Sequence, residues 1–347
     1  MVCSACSTDV PEEDLFCENC GLQIPQTESS GDACLCGAPT AEADEDGFCQ
    51  QCGRRVRRPA SDHMEEAVSA AFAAVSDRGL RHDHNEDRFA VVQAEAGFAL
   101  VICDGVSATQ HPEIASESVT GTIARELAEA LRQGLAVDPE AAITSAIGAA
   151  AQTLKEVTGR GSEGENAPST TVVTALVKGN EITVGWVGDS RAYWVDADGA
   201  KLLTRDHSWM HMVLDSGEMT LEEAEGAPQA HAITRWIGAD AEGAATPEVV
   251  KHRVASSGTL LLCTDGLWNY APEPDAVAEL LRERSGNGAE ALHVARELVA
   301  FALEKGGRDN ITVAMLRIAQ NDLSPADESD GSELDSVNEL TADEERS

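Results

Sequence analysis

The sequence predicts an α+β body in which antiparallel sheets are covered by helices. Three observations carry that expectation. Apolar, β-rich runs of strand length stand at 67–75, 88–93, 97–103, 170–177, 181–187, 190–195, 248–254, 259–263 and 310–318. Ala/Leu/Glu-rich stretches with helical spacing fill 112–133, 138–158, 274–284 and 288–304, so the helices come in pairs. Consecutive runs such as 170–177, 181–187 and 190–195 are separated only by short polar turns, which suit hairpins and are too short for the helical crossover of a parallel sheet.

The elements follow in chain order. Residues 3–20 read CSACSTDVPEEDLFCENC and pair Cys3 with Cys6 and Cys17 with Cys20 at x2 spacing; residues 34–52 give Cys34-x-Cys36 and Cys49-x2-Cys52. Two short-spaced pairs bring four thiolates to one tetrahedral ion at about 2.3 Å, the requirement of a structural zinc site. A Gly follows Cys20 and Cys52, as a tight metal-binding knuckle needs, and the doubled pattern resembles the zinc-ribbon family. It implies two structural Zn²⁺, a first ribbon over 1–24 and a second over 31–57. Segments this short bury too little surface to fold without such a staple. With all four positions filled by cysteine, no water can be activated there, so the ribbons read as docking or structural modules. Residues 58–64 form a linker, and 65–320 hold the main domain. The acidic stretch 321–347, free of aromatics, is expected to be disordered.

Composition narrows the partners. With 25 Lys+Arg against 61 Asp+Glu the net charge is −36; displacing counterions from a phosphate backbone needs the opposite balance, so nucleic acid is not expected. No run reaches the roughly 18 apolar residues of a membrane span, and the N-terminus lacks a basic region followed by an apolar signal core. A cytoplasmic protein without a membrane partner is expected. Two of the ten cysteines, Cys103 and Cys263, sit inside apolar runs and read as small core residues. The scattered histidines, among them His82, His84, His207, His211, His231 and His252, form no metal-ligand spacing.

Aspartates recur at strand ends. GFALVIC ends on Asp104-Gly105, GTLLLCT on Asp265-Gly266, Asp189 separates two apolar stretches, and Asp309 heads a third. Each Asp-Gly alone is an ordinary turn. Brought to one sheet edge, however, these carboxylates would repel one another unless a cation sat among them. Carboxylate, carbonyl and water oxygens suit Mn²⁺ or Mg²⁺.

The motifs NEDRF (85–89), CDGVSA (103–108), STTVVTALV (169–177), VGDSRAYWV (187–195), LTRDHSW (203–209), ITRWIG (233–238), CTDGLW (263–268) and GGRDNITV (306–313) resemble, in order, those of the metal-dependent Ser/Thr protein phosphatase 2C family. The resemblance implies a four-layer α/β/β/α sandwich with two antiparallel sheets and a two-metal centre at one end. It implies that Asp104 bridges two Mn²⁺ or Mg²⁺ ions with help from the Gly105 carbonyl. Asp265 and Asp309 complete one ion, Glu86 with Asp87 beside it holds the water shell of the other, and Asp189 matches a third, weaker position. Arg191 reads as a structural ion pair, and residues 208–232 match a flap beside the site. The implied activity is hydrolysis of phosphoserine and phosphothreonine in proteins by a water activated between the ions, opposite a Ser/Thr kinase. Two departures stand out. His82 occupies the spacing at which the family places a phosphate-gripping Arg, with Arg81 one residue further away, and Val106 cannot donate a proton where some relatives carry His. A catalytically silent scaffold on the same fold is the alternative, and it gives no reason to keep carboxylates that destabilise one another without metal.

Overall fold

A computed structural model describes residues 49–53, 60–134, 138–158, 166–230, 232–238, 246–286 and 289–320. Six of the eight expected zinc cysteines, Cys3, Cys6, Cys17, Cys20, Cys34 and Cys36, lie outside the described residues, as does the segment 321–347. Of the other two, Cys49 is buried and Cys52 exposed.

In chain order the body contains β1 (His63–Ser69), β2 (Phe72–Asp77), β3 (Arg88–Ala94), β4 (Gly97–Cys103), α1 (Pro112–Arg132) and α2 (Pro139–Thr158). There follow β5 (Ser169–Thr170), β6 (Val172–Lys178), β7 (Glu181–Val187), β8 (Arg191–Asp196), β9 (Gly199–Leu202), α3 (Trp209–Ser216), α4 (Leu221–Glu225), β10 (Ile237–Gly238) and β11 (Glu248–Arg253). The chain continues with β12 (Gly258–Cys263), α5 (Asp265–Trp268), α6 (Pro274–Arg284), α7 (Ala291–Glu304) and β13 (Ile311–Ile318). One sheet has the order β1-β2-β13-β12-β8-β9, the other β11-β7-β6-β4-β3, and β5 pairs with β10 in a two-stranded piece. Every ladder is antiparallel.

The apolar runs are continuous because their strands are covered on both faces. Successive side chains of a strand point to opposite sides. On β4, Leu100 and Ile102 join a core shared with Phe72, Trp194, Leu262 and Leu316 of the other sheet, while Ala99, Val101 and Cys103 pack with Ile123, Leu127, Ile147 and Leu154 of α1 and α2. On β12, Leu260 and Leu262 enter the shared core, whereas Leu261 and Cys263 meet Val294 and Leu298 of α7. Cys103 and Cys263 are fully buried core residues, as expected, with their thiols pushed up to about 12 by burial.

One expectation changes and two gain detail. The run 67–75 is the turn of a hairpin rather than one strand: β1 leaves most of its residues exposed and β2 buries nearly all of its own, so a half-polar edge strand, beginning within the expected linker at His63, folds back on a core strand without a Gly or Pro to mark the turn. The Asp265-Gly266 pair opens a short helix, α5, instead of a plain turn. The stretch 208–232 contains α3, capped by the Ser208 hydroxyl, and α4, closed by a Thr220/Glu223 capping box.

Candidate active site

Antiparallel pairing brings the acidic strand ends together. Arg88, directly after Glu86-Asp87, sits opposite Cys103, which precedes Asp104. Cys263, two residues before Asp265, sits opposite Val313, and Ile311, two residues after Asp309, opposite Asp77. The main-chain N–H of Thr171 and the hydroxyl of Thr170 both donate to the Asp104 carbonyl at 2.8 Å, fixing the end of β4 against β5 and β6.

Two glycines make the approach possible. A Cβ on Gly266 would lie 1.9 Å from the Asn310 carbonyl oxygen, and one on Gly105 would lie 2.9 Å from both the Glu86 carbonyl oxygen and the Pro112 Cβ. Any side chain at either position would push the acidic strand ends apart.

The floor of the site is buried and its mouth open. Asp87 is fully buried and Asp189 is 8% exposed, while Glu86, Asp104, Asp265 and Asp309 are each partly exposed. Burial, followed by the neighbouring charges of Asp87, Asp265, Asp309 and Asp189, holds the Asp104 carboxyl well above the usual range. Burial and the charges of Asp189, Asp309 and Asp87 do the same to Asp265. Asp87 is raised to about 7 by burial against the pull of its hydroxyl partners, and Asp189 to about 7 by burial and the charge of Asp206. Burial also raises Glu86, which accepts a 2.5 Å hydrogen bond from Ser107. Asp309 differs: burial pushes it up, but the His82 imidazole, 3.1 Å away, and the Asn310 N–H bring its net pKa below the usual value.

Hard divalent cations fit this donor set. Asp87 Oδ2 accepts from the hydroxyls of Thr264 at 3.0 Å and Thr312 at 2.7 Å, yet Oδ1 of the same carboxylate is buried with no hydrogen-bond donor among the described residues. An unsatisfied buried carboxylate oxygen beside like charges is costly unless a cation compensates it. All the donors are oxygens, the chemistry of Mn²⁺ or Mg²⁺ rather than of zinc or copper. Among the described residues no three His, Cys, Asp or Glu side chains close around a single point at ion-binding distance. A cation held here would take part of its shell from main-chain oxygen and water, as Mg²⁺ usually does.

Comparison with known proteins identifies the family. The family model described as Protein phosphatase 2C matches residues 79–301. The chain belongs to the protein phosphatase 2C family. The serine/threonine phosphatase stp of Listeria innocua serovar 6a is 30% identical over 245 residues, covering 70% of this chain and 93% of that protein. The serine/threonine protein phosphatase PstP of Mycobacterium tuberculosis H37Rv is 29% identical over 255 residues, which cover 72% of this chain and 45% of PstP. Among solved structures, Stp1 from Staphylococcus aureus aligns with a TM-score of 0.60 at 26% identity over 74% of this chain and 98% of its own. The catalytic domain of PstP in complex with two manganese ions aligns at 0.56 and 26% identity, over 72% of this chain and 98% of its own.

Within this phosphatase 2C domain the structure brings together Glu86, Asp87, Asp104, Gly105, Asp189, Asp265 and Asp309, all singled out from sequence. Arg81 stands apart. It is exposed on the turn before Asn85 and makes no hydrogen bond or ion pair among the described residues, while His82 contacts Asp309. Arg191 is the buried ion pair expected: it binds Asp206 through two nitrogens at 3.0 and 2.7 Å, donates to Tyr193 and the Pro272 carbonyl, and stacks 3.8 Å from the Trp268 ring centre. Trp268 in turn donates to the Asp189 carbonyl at 3.0 Å, so α5, which begins at Asp265, is tied to the Asp189 loop.

A polar scaffold behind the acids was missed. Asn310 accepts from the Glu86 N–H at 2.7 Å and donates to the carbonyls of Arg78 and His84. Asn85 donates to Ser76, whose hydroxyl bonds that of Thr312 at 2.7 Å. The available signal was adjacency: NED, CTD and RDN set an amide or hydroxyl residue next to each acid.

Proposed function

We propose that this chain hydrolyses phosphoserine and phosphothreonine in proteins, with Asp104, the Gly105 carbonyl, Asp265, Asp309 and Glu86 holding two Mn²⁺ or Mg²⁺ ions and Asp189 offering a third position. The carrying observation is the cluster of mutually repelling carboxylates with the donorless Asp87 Oδ1 at its floor. Divalent cations bound there supply charge neutralisation of phosphoryl oxygens and acidification of water. The chain's own residues do the placing. Thr170 and Thr171 fix Asp104, Asn310 fixes Glu86, Ser107 holds Glu86 Oε2, and Trp268 locks α5 and with it Asp265. Water attacks phosphorus, the bond from phosphorus to the serine or threonine oxygen breaks, and that oxygen takes a proton from water, since Val106 has none to give. Inorganic phosphate and the free hydroxyl result. Arg81, on the turn entering the site, is the arginine of the chain nearest to the family's phosphate-gripping position.

The same reading extends to the rest of the molecule. The three apolar cores support the reading of a four-layer α/β/β/α sandwich over 65–320. The spacing of the eight cysteines supports two structural Zn²⁺ in ribbons over 1–24 and 31–57, joined by the linker 58–64, with 321–347 as an acidic tail. Thiolates in such number suit a reducing compartment, so the protein is assigned to the cytoplasm, acting on targets of a Ser/Thr kinase. No helix among the described residues is long and apolar enough to cross a membrane. The test is hydrolysis of a phosphothreonine peptide with and without Mn²⁺. Release of phosphate only with the ion is expected, and no release under either condition would leave the silent scaffold as the function.

A further inference from the structure

The mouth of the site is defined by Asp309 and His82, whose side chains are 39% and 24% exposed. The segment leading there is held in one register. Gly79 adopts φ +76°, and a Cβ on it would lie 2.1 Å from the Asp309 carbonyl oxygen, so the turn presses directly on the backbone that carries this acid. Arg78 donates its main-chain N–H to the Asp62 carbonyl at 2.8 Å, and its Nε lies 3.3 Å from Asp62 Oδ2, a carboxylate only 3% exposed. The Arg78 Nη1 then donates to the His82 carbonyl. With residues 78 and 79 pinned and the His82 backbone caught by Arg78, it is the imidazole of His82 that lies against the acids, its Nε2 3.1 Å from Asp309 Oδ1. Arg81 falls on the exposed side of the same turn.

A phosphate monoester entering an acidic site needs donors as well as cations. Among the described basic side chains near the acidic strand ends and the loop of Asp189, Arg191 is engaged by Asp206, Tyr193, Pro272 and Trp268 in the interior, Arg88 donates to the carbonyls of Asn85 and Asp87, and His207 accepts from the Gly188 N–H with its other ring nitrogen against Glu248. His82 instead lies against Asp309 at the mouth.

We infer that His82, rather than Arg81, is the side chain that contacts the phosphoryl group, its ring N–H donating to an oxygen of the phosphomonoester and of the phosphate released. This rests on the phosphatase reading above. One N–H replaces the two-pronged guanidinium fork, so the grip is weaker and less directional than an arginine would give. Phosphate should accordingly leave readily.

The experiment uses the full chain loaded with Mn²⁺ and measures the Kd of inorganic phosphate by calorimetry, KM and kcat on a phosphothreonine peptide, and the Kd of Mn²⁺ for the metal-free protein. For His82→Gln we expect phosphate Kd and KM each to rise about tenfold, the loss of one hydrogen bond to a charged group, with Mn²⁺ affinity within twofold of the parent. His82→Arg should tighten phosphate. If His82→Gln weakens Mn²⁺ as much as phosphate, the imidazole positions Asp309 and does not bind substrate. If Arg81→Ala raises phosphate Kd and His82→Gln does not, the grip belongs to Arg81. Either result overturns the inference while the phosphatase reading survives. Absence of Mn²⁺-dependent hydrolysis in the parent protein overturns both.

Discussion

Two sets of buried charge lie side by side in this protein and are treated in opposite ways. Asp206 is 6% exposed and fully answered: Arg191 meets both its oxygens, and the guanidinium is itself satisfied by Tyr193, Pro272 and the face of Trp268. Asp87, Asp104 and Asp265 face one another with no cationic side chain bonded to them among the described residues, and burial with mutual repulsion pushes their carboxyls up. The first set is closed by the chain itself. The second has no such compensation among the described residues, and that difference separates a structural ion pair from the proposed metal centre more clearly than the presence of aspartates does.

The sharpest way to break the comparison is to remove one acid from the open set. Asp265→Asn should lower Mn²⁺-dependent kcat by at least about a thousandfold, since losing one ligand sacrifices several kcal/mol of barrier reduction. The same variant should leave the metal-free protein no less stable than the parent, because it relieves repulsion. Turnover near normal, or a clear drop in metal-free stability by urea unfolding, would show that Asp265 serves the fold.

The opposite outcome is expected in the closed set. Arg191→Met strands Asp206 without a partner at a site where the two side chains are 9% and 4% exposed, and should cost about 3–5 kcal/mol of unfolding free energy. Replacing both partners, Arg191→Met with Asp206→Leu, should recover most of that loss. If the double variant is as unstable as the single one, the cost comes from the Trp268 stacking and not from the stranded charge.

Legibility from sequence followed the same division. The open set was readable because each acid ends or begins an apolar run, and antiparallel pairing then has few ways to arrange such ends. Arg191 was readable as an ion pair, but its grip on Trp268, and through it on the Asp189 loop, depends on a short helix that Asp265-Gly266 does not announce. The β1/β2 hairpin was hidden because AVSAAFAAVS carries no Gly, Pro, Asn or Asp and only Ser69 marks the turn, and β9 because GAKL lacks a β-branched or aromatic side chain. His82 was found by spacing alone. Only the Asp62–Arg78 clamp explains why it, and not Arg81, reaches the acids.

A smaller effect follows from pH. For acids whose folded pKa is raised, the folded state binds protons more tightly than the unfolded chain, so stability falls as pH rises from the usual carboxylate value near 4 through the folded value. For Asp87 and Asp189 that value is about 7. Metal-free protein should therefore lose stability between pH 5 and pH 8, and saturating Mn²⁺ should flatten the slope. The loss should also be smaller in Asp265→Asn, which removes one of the repelling charges. Stability that climbs over this range in the presence of a chelator, equally in parent and variant, would mean the cluster is not strained.

The smallest effect is expected where the chain enters the domain. Asp62 is a further buried carboxylate answered by its own arginine, and it lies in the stretch that joins the cysteine-rich segment to the domain. Deleting residues 1–59 spares Asp62, the edge strand β1 that begins at His63, and every residue of the acidic centre, so kcat/KM on a small phosphate ester should change less than twofold. Deleting residues 1–62 also removes the Asp62 carboxylate and carbonyl that anchor Arg78, which holds the His82 carbonyl, so here KM for the same ester should rise. The pair of truncations separates the cysteine-rich segment from the clamp. If both shorten activity on the ester equally, the cysteine-rich segment itself supports the domain. If only the longer deletion does, and the shorter one lowers kcat/KM on a phosphoprotein alone, the cysteine-rich segment contributes to recognition of that protein and the clamp to the grip on phosphate.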